Sequence, residues 1–164
     1  MKILIFNKRE FNNYMKFNDI TDDNVETKDV MFISINNYYE GSKSSYSLDV
    51  KSHFKRQHSN VMIMHFGDYS EEYVYRTIHE GPTGLFNEYK AKKLYQFIKK
   101  NKDKSMVVIH CGAGISRSGA VGTFIQDTYG TVSYEDFKRK NARIQPNNHI
   151  LKLLQKELKK DKSK

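Results

Sequence analysis

The sequence predicts an α/β fold in which a central, largely parallel and twisted sheet carries helices on both faces. Short apolar runs rich in β-branched residues alternate with longer segments whose apolar positions repeat at helical spacing. The run from Met106 to His110 is almost entirely apolar, which is typical of a parallel strand buried on both faces. A glycine-bearing loop follows it and leads into a helical segment, the usual order of a βα unit.

Four segments are predicted as strands: 2–6, 29–36, 61–66 and 106–110. The first is too short for the apolar region of a secretory leader, and no small-residue cleavage site follows it. Helices are predicted over 8–17, from the candidate N-cap Asn87 to 100, over 117–129, from Ser133 onward, and after Pro146. Two stretches stay ambiguous: 37–59, with a helix expected near 47–56, and 69–87, with turn signals at Gly81-Pro82 and Gly84.

Length and composition indicate one folded domain over residues 1–164, with a basic helix or tail from about residue 152. The chain is 38% hydrophobic and 13% aromatic, enough apolar material for a core. No apolar run approaches the roughly 20 residues that cross a bilayer, so no membrane contact is expected.

The formal net charge of +9 raises the possibility of a nucleic-acid partner. Much of the excess lies on predicted helices and in the segment after residue 151, which has six lysines against two acids. A solvated charged surface therefore explains the charge better than a nucleic-acid site does. The positive field also favours phosphorylated substrates, which are anions.

Cys111 is the single cysteine of the chain. An intramolecular disulfide is excluded, and a cysteine-based zinc site is not supported. A reducing, cytoplasmic setting is expected from this usage. Composition alone leaves two interpretations of Cys111 open, a small buried apolar residue or a reactive thiol.

The loop after the fourth strand decides between them; it reads His110-Cys111-Gly112-Ala113-Gly114-Ile115-Ser116-Arg117-Ser118. Small residues let successive backbone N–H groups turn inward around an anion, and the helix that follows adds its positive end. These donors and a guanidinium favour the thiolate of Cys111. Arg117 has the planar fork that holds two phosphate oxygens, and Ser118 can donate a hydrogen bond to the thiolate. The loop is predicted to bind phosphate.

The same residues resemble the signature of the protein tyrosine phosphatase superfamily: His-Cys, five residues, then Arg and Ser or Thr. The segment Gln145-Pro146-Asn147-Asn148 is similar to the Pro-Asn segment that opens the last helix of the small dual-specificity phosphatases. The resemblance implies the cysteine-phosphatase fold, with Cys111 as nucleophile and Arg117 binding the phosphate and the transition state. It also implies that backbone amides from Gly112 to Arg117 hold the phosphoryl oxygens, that Ser118 aids thiolate release and that His110 supports the loop. No metal or cofactor is implied.

The family also uses an aspartic acid on a loop after a strand to protonate the leaving group. Asp68 is the first candidate, since it directly follows the third predicted strand, although it precedes Cys111 by 43 residues, more than is usual. An insertion across 69–85 would account for the extra length. Glu80, 31 residues before Cys111, is the second candidate, and Glu72 is the third.

By this resemblance the chain is expected to be a phosphatase that acts on phosphoproteins. Phosphotyrosine is the expected substrate, and a dual-specificity enzyme would also accept phosphoserine or phosphothreonine. The loop interior is neutral, whereas relatives that act on phosphoinositides tend to carry lysines there. An RNA 5′-phosphatase and a non-catalytic phosphate-binding module are the alternatives. The pocket is expected to be shallow, with rim candidates Tyr38, Tyr39, Tyr46 and Tyr69.

Overall fold

A computed structural model describes residues 1–37, 52–77 and 84–164. Glu80, Tyr38, Tyr39, Tyr46 and Gly81-Pro82 lie outside these described residues. The strands are β1 (Lys2–Asn7), β2 (Val30–Asn36), β3 (Val61–His65) and β4 (Met106–Cys111). The helices are α1 (Lys8–Phe17), α2 (Glu71–Thr77), α3 (Glu88–Lys100), α4 (Arg117–Tyr129), α5 (Tyr134–Lys140) and α6 (Asn148–Lys162).

The four strands form one parallel sheet in the order β1-β4-β2-β3. β4 therefore lies inside the sheet, paired with β1 on one side and β2 on the other. The predicted α/β class and parallel sheet are confirmed. All four carboxyl ends lie along one edge, where open sheets of this kind place their ligands.

Side chains of β4 alternate between two cores, as the two-residue period of a strand requires. Val107 and Ile109 pack into the larger core, together with α3, α4, α5 and α6. Val108 packs into the smaller core with Phe11 and Met15 of α1. Helices therefore cover both faces of the sheet, as predicted, and burial on both faces explains the nearly continuous apolar sequence of β4.

The helix starts follow from capping residues. Asn87 and Asn147 accept hydrogen bonds from the backbone N–H groups three residues later, at the starts of α3 and α6. Ser133 caps α5 in the same way, through the N–H of Asp136. Asn7, the last residue of β1, forms a full capping box with Glu10, so strand and helix meet without a linker.

The two segments without a clear secondary-structure prediction, 37–59 and 69–87, differ from what was expected of them. Residues 52–56 of the expected 47–56 helix are not helical, and the rest of that helix lies outside the described residues. Part of the expected insertion folds as α2, and the backbone N–H of Gly67 donates to the carbonyl of Gly84 across it. Within the described ranges no helix is long and apolar enough to cross a membrane.

Candidate active site

Cys111 ends β4 at the carboxyl edge of the sheet, and only 2% of its surface is exposed. The chain then bends through residues 112–116 before α4 begins at Arg117. The backbone N–H of Gly114 points back at the sulfur, with an N–Sγ distance of 3.3 Å. The Ser118 hydroxyl lies 3.1 Å from the same sulfur. The segment is a closed loop around the thiol.

Gly114 makes this curvature possible. Its φ of +71° lies in the left-handed region, where a side chain is strained. A Cβ at this position would lie 2.5 Å from the carbonyl carbon of Phe6 and 2.6 Å from the backbone N of Asn7. The backbone N–H of Lys8 also donates to the carbonyl of Gly112, at 3.3 Å. The loop therefore rests directly on the junction between β1 and α1.

The surroundings of Cys111 favour its ionised form. Burial raises the pKa of the thiol, but hydrogen bonds from the Ser118 hydroxyl and backbone N–H oppose this. The positive charge of Arg117 and the N–H of Ile115 act in the same direction, and the net result is a lowered pKa. A larger fraction of the Cys111 thiol is therefore ionised at neutral pH than in an ordinary cysteine.

Arg117 is 6% exposed and lies against the loop. One terminal nitrogen, Nη1, donates to the carbonyl of Phe66 at 2.8 Å, just beyond the end of β3. The other, Nη2, lies 3.4 Å from where a Cβ of Gly112 would be. Its Nε has no hydrogen-bond partner among residues 1–37, 52–77 and 84–164. Nη1 of the guanidinium is anchored, and Nε and Nη2 remain to donate to two oxygens of one anion.

His110 lies beneath the loop, fully buried, with its ring 4.3 Å from that of Phe11. Its Nδ1 is 3.3 Å from the carbonyl oxygen of Cys111, and its Nε2 is 2.6 Å from the hydroxyl of Ser34. Burial lowers the pKa of His110 to about 3, against an opposing effect of the Cys111 contact. The ring is neutral at physiological pH and acts as structural support.

Asp68 lies on the exposed turn after β3, and its carboxylate reaches the loop. Oδ1 accepts a hydrogen bond from the Ser116 hydroxyl at 2.7 Å and another from Asn147 Nδ2 at 2.8 Å. Asn147 Nδ2 also donates to the carbonyl of Tyr69 at 2.9 Å. Both of these hydrogen bonds end on the same carboxylate oxygen of Asp68.

The segment before α6 supports the same loop through its backbone. The N–H of Gln145 donates to the carbonyl of Ile115, and that of Asn147 donates to the carbonyl of Ser116, both at 3.1 Å. Asn147 thus joins three elements: the cysteine loop, the Asp68 turn and the start of α6. Its neighbourhood was identified from the sequence, but its role as a bridge was not.

A cleft of about 470 Å³ opens beside Asp68. Its lining residues are polar or acidic: Asp68, Ser70, Glu71, Glu72, Ser116, Asn147 and Asn148. Glu72, the third candidate acid, lies on this lining but on α2, whereas Asp68 contacts the cysteine loop itself. No group of three or more metal-ligating side chains occurs in the described part of the chain.

Similarity to known proteins along the whole chain is found in the structure and not in the sequence. The sequence matches no protein-family model and no curated protein. The crystal structure of PTPMT1 in complex with PI(5)P aligns with a TM-score of 0.51 at 14% identity, covering 99% of this chain and 93% of that one. The chain has the fold of the protein tyrosine phosphatases.

Two further phosphatase structures align less well. PTP-2 phosphatase of Cydia pomonella gives a TM-score of 0.46 at 13% identity, over 94% of this chain and 84% of its own. Tk-PTP in its active form gives 0.44 at 16%, over 97% and 92%. Within this phosphatase fold, the predicted residues Cys111, Arg117, Ser118, His110 and Asp68 lie in one site at the carboxyl edge of the sheet.

Three further residues of the site were missed from the sequence. Ser34 and Asn36 of β2 lie beneath the loop, and Phe66 holds Arg117 through its carbonyl. The sequence did contain a signal for Ser34 and Asn36: they are polar residues in an otherwise apolar strand, and buried polar side chains need hydrogen-bond partners. Phe66 acts through its backbone, for which the side chain gives no signal.

Proposed function

We propose that this protein is a cysteine-dependent phosphatase that hydrolyses phosphate monoesters on proteins, phosphotyrosine in the first place. The observation that carries the proposal is the loop around Cys111, whose inward N–H groups and adjacent guanidinium are the donors that a phosphate anion requires. A protein that only bound phosphate would not need a thiol of lowered pKa at the centre of the loop.

The first chemical step uses the thiolate of Cys111. Its sulfur attacks phosphorus, an S–P bond forms, and the bond from phosphorus to the leaving oxygen breaks. Asp68 gives its carboxyl proton to that oxygen, so an alcohol or phenol leaves. Loop N–H groups and Arg117 hold the three remaining phosphoryl oxygens as charge shifts among them.

The second step returns the enzyme to its starting state. A water molecule attacks phosphorus while Asp68, now ionised, takes one of its protons. The S–P bond breaks, inorganic phosphate forms and Cys111 leaves as thiolate. The Ser118 hydroxyl, 3.1 Å from the sulfur, stabilises that leaving thiolate by a hydrogen bond.

Protein substrates are preferred on charge grounds. The interior of the loop, from Gly112 to Ser116, has no cationic side chain to hold a second phosphate. PTPMT1, which has a similar fold, was crystallised with PI(5)P, so this lipid is the natural competitor in a substrate test. The +9 charge makes an RNA 5′-triphosphate the second competitor.

The test is a panel with one peptide phosphorylated in turn on tyrosine, serine and threonine, alongside PI(5)P and an RNA 5′-triphosphate. Phosphate release should be fastest from the phosphotyrosine peptide and absent in Cys111→Ser, which retains substrate as a trap. Faster release from PI(5)P or RNA would overturn the substrate class. Failure to hydrolyse any of them, and any simple aryl phosphate, would overturn the catalytic proposal.

A further inference from the structure

Ser34 and Asn36 form a hydrogen-bonded relay under the cysteine loop. β2 pairs with β4 so that Ser34 lies opposite His110, and both side chains are fully buried. Asn36 Nδ2 lies 3.3 Å from the Ser34 hydroxyl, which in turn is 2.6 Å from His110 Nε2. The relay ends at the carbonyl of Cys111, 3.3 Å from His110 Nδ1.

The direction of each bond follows from the last one. A carbonyl oxygen can only accept, so His110 Nδ1 must carry the proton that bonds to Cys111. A buried neutral imidazole has one N–H, and Nε2 is therefore an acceptor. Ser34 must then donate its hydroxyl proton to Nε2, and Asn36 Nδ2 donates to one of the two lone pairs of the Ser34 oxygen.

We propose that Ser34, oriented by Asn36, is a positioning residue for the nucleophile: it donates to Nε2 of the Nδ1–H tautomer of His110, fixes the ring and so holds the Cys111 carbonyl in place. The peptide group that carries this carbonyl joins Cys111 to Gly112, the first residue of the loop. Its orientation sets the start of the turn that brings the N–H of Gly114 onto the sulfur. The catalytic consequence rests on the proposed function, but the tautomer and the thiol reactivity do not.

Loss of the Ser34 hydroxyl leaves the buried Nε2 lone pair of His110 without its donor, while the Cys111 carbonyl still favours the Nδ1–H tautomer. The ring is then held by its packing against Phe11, at 4.3 Å between ring centres, and no longer by a hydrogen bond at Nε2. The ring and the Cys111 carbonyl bonded to it can therefore shift together, and the N–H groups lose their aim at the sulfur.

The experiment compares Ser34→Ala with Ser34→Thr, which keeps a hydroxyl. Thr123→Val is the control, since it removes another buried hydroxyl, from α4, outside the relay. The rate of alkylation of Cys111 by iodoacetamide is followed against pH, and nitrogen-15 NMR identifies the His110 tautomer. In Ser34→Ala we expect alkylation of Cys111 to be about tenfold slower at neutral pH, because the loop N–H groups that stabilise the thiolate lose the equivalent of one hydrogen bond. Ser34→Thr should restore most of the rate, and Thr123→Val should match the wild type.

A wild-type alkylation profile in folded Ser34→Ala would overturn the proposal, as would a loss of equal size in Thr123→Val. If Ser34→Ala does not fold, the wild-type spectrum still decides, because an Nε2–H tautomer of His110 there contradicts the relay. A chain that alkylates and titrates as expected but hydrolyses no phosphate ester would contradict the proposed function and leave this inference standing.

Discussion

Replacing Gly114 by alanine tests the loop geometry on which the site depends. The new methyl group would lie 2.5–2.7 Å from the carbonyl group of Phe6 and the backbone N of Asn7. These are backbone atoms of β1 and its junction with α1, which cannot rotate away as a side chain can. The residue would also have to keep a φ of +71°.

The magnitude follows from two contributions. A non-glycine residue in the left-handed region costs about 1–2 kcal/mol. Overlap of a methyl group with packed backbone adds about 1–3 kcal/mol. We expect Gly114→Ala to lower the free energy of unfolding by about 2–5 kcal/mol, or to push the loop off β1 and return the Cys111 thiol towards ordinary reactivity.

Gly112→Ala is the matched control in the same loop. Its φ is not in the left-handed region, and among the described residues its Cβ would meet only the Nη2 atom of Arg117, at 3.4 Å. We expect its free energy of unfolding to stay within about 1 kcal/mol of the wild type. Urea unfolding and alkylation of Cys111 measure both effects. A Gly114→Ala protein that equals Gly112→Ala in stability and the wild type in thiol reactivity would refute the described loop.

Three other outcomes are expected. Asp68→Asn keeps an acceptor for Ser116 but has no proton to give, so kcat should fall about 10²–10⁴-fold on a phosphopeptide. Glu72→Gln, from the same cleft, should leave kcat unchanged, and the reverse pattern would reassign the acid. Arg117→Lys keeps the charge but not the planar fork, so kcat/KM should fall about 10²–10³-fold in steady-state assays, and near-normal activity would show that the fork is not needed. Mild peroxide should oxidise Cys111 to a species with one added oxygen, or to a glutathione adduct when glutathione is present, and intact mass should show no internal disulfide. A protein whose mass does not change would contradict a reactive thiolate.

Local sequence determined most of the secondary structure and the centre of the site. Strand and helix positions follow from apolar periodicity and from capping residues such as Asn87 and Asn147, which act within a few residues of themselves. The cysteine loop could be predicted for the same reason, because Cys111, Gly114 and Arg117 are close together in the sequence. Residues 71–77 were not predicted as a helix, since that segment has weaker local signals than its neighbours.

Contacts between residues far apart in the sequence were decided only by the tertiary structure. Asn147 and Asp68 are 79 positions apart, and Ser34 and His110 are 76 apart, yet each pair is hydrogen bonded. No local rule fixes such pairs, since they depend on strand order and register. The need for glycine at position 114 has the same origin: the sequence shows a flexible residue, and the fold shows that the backbone of β1 occupies the place of its side chain.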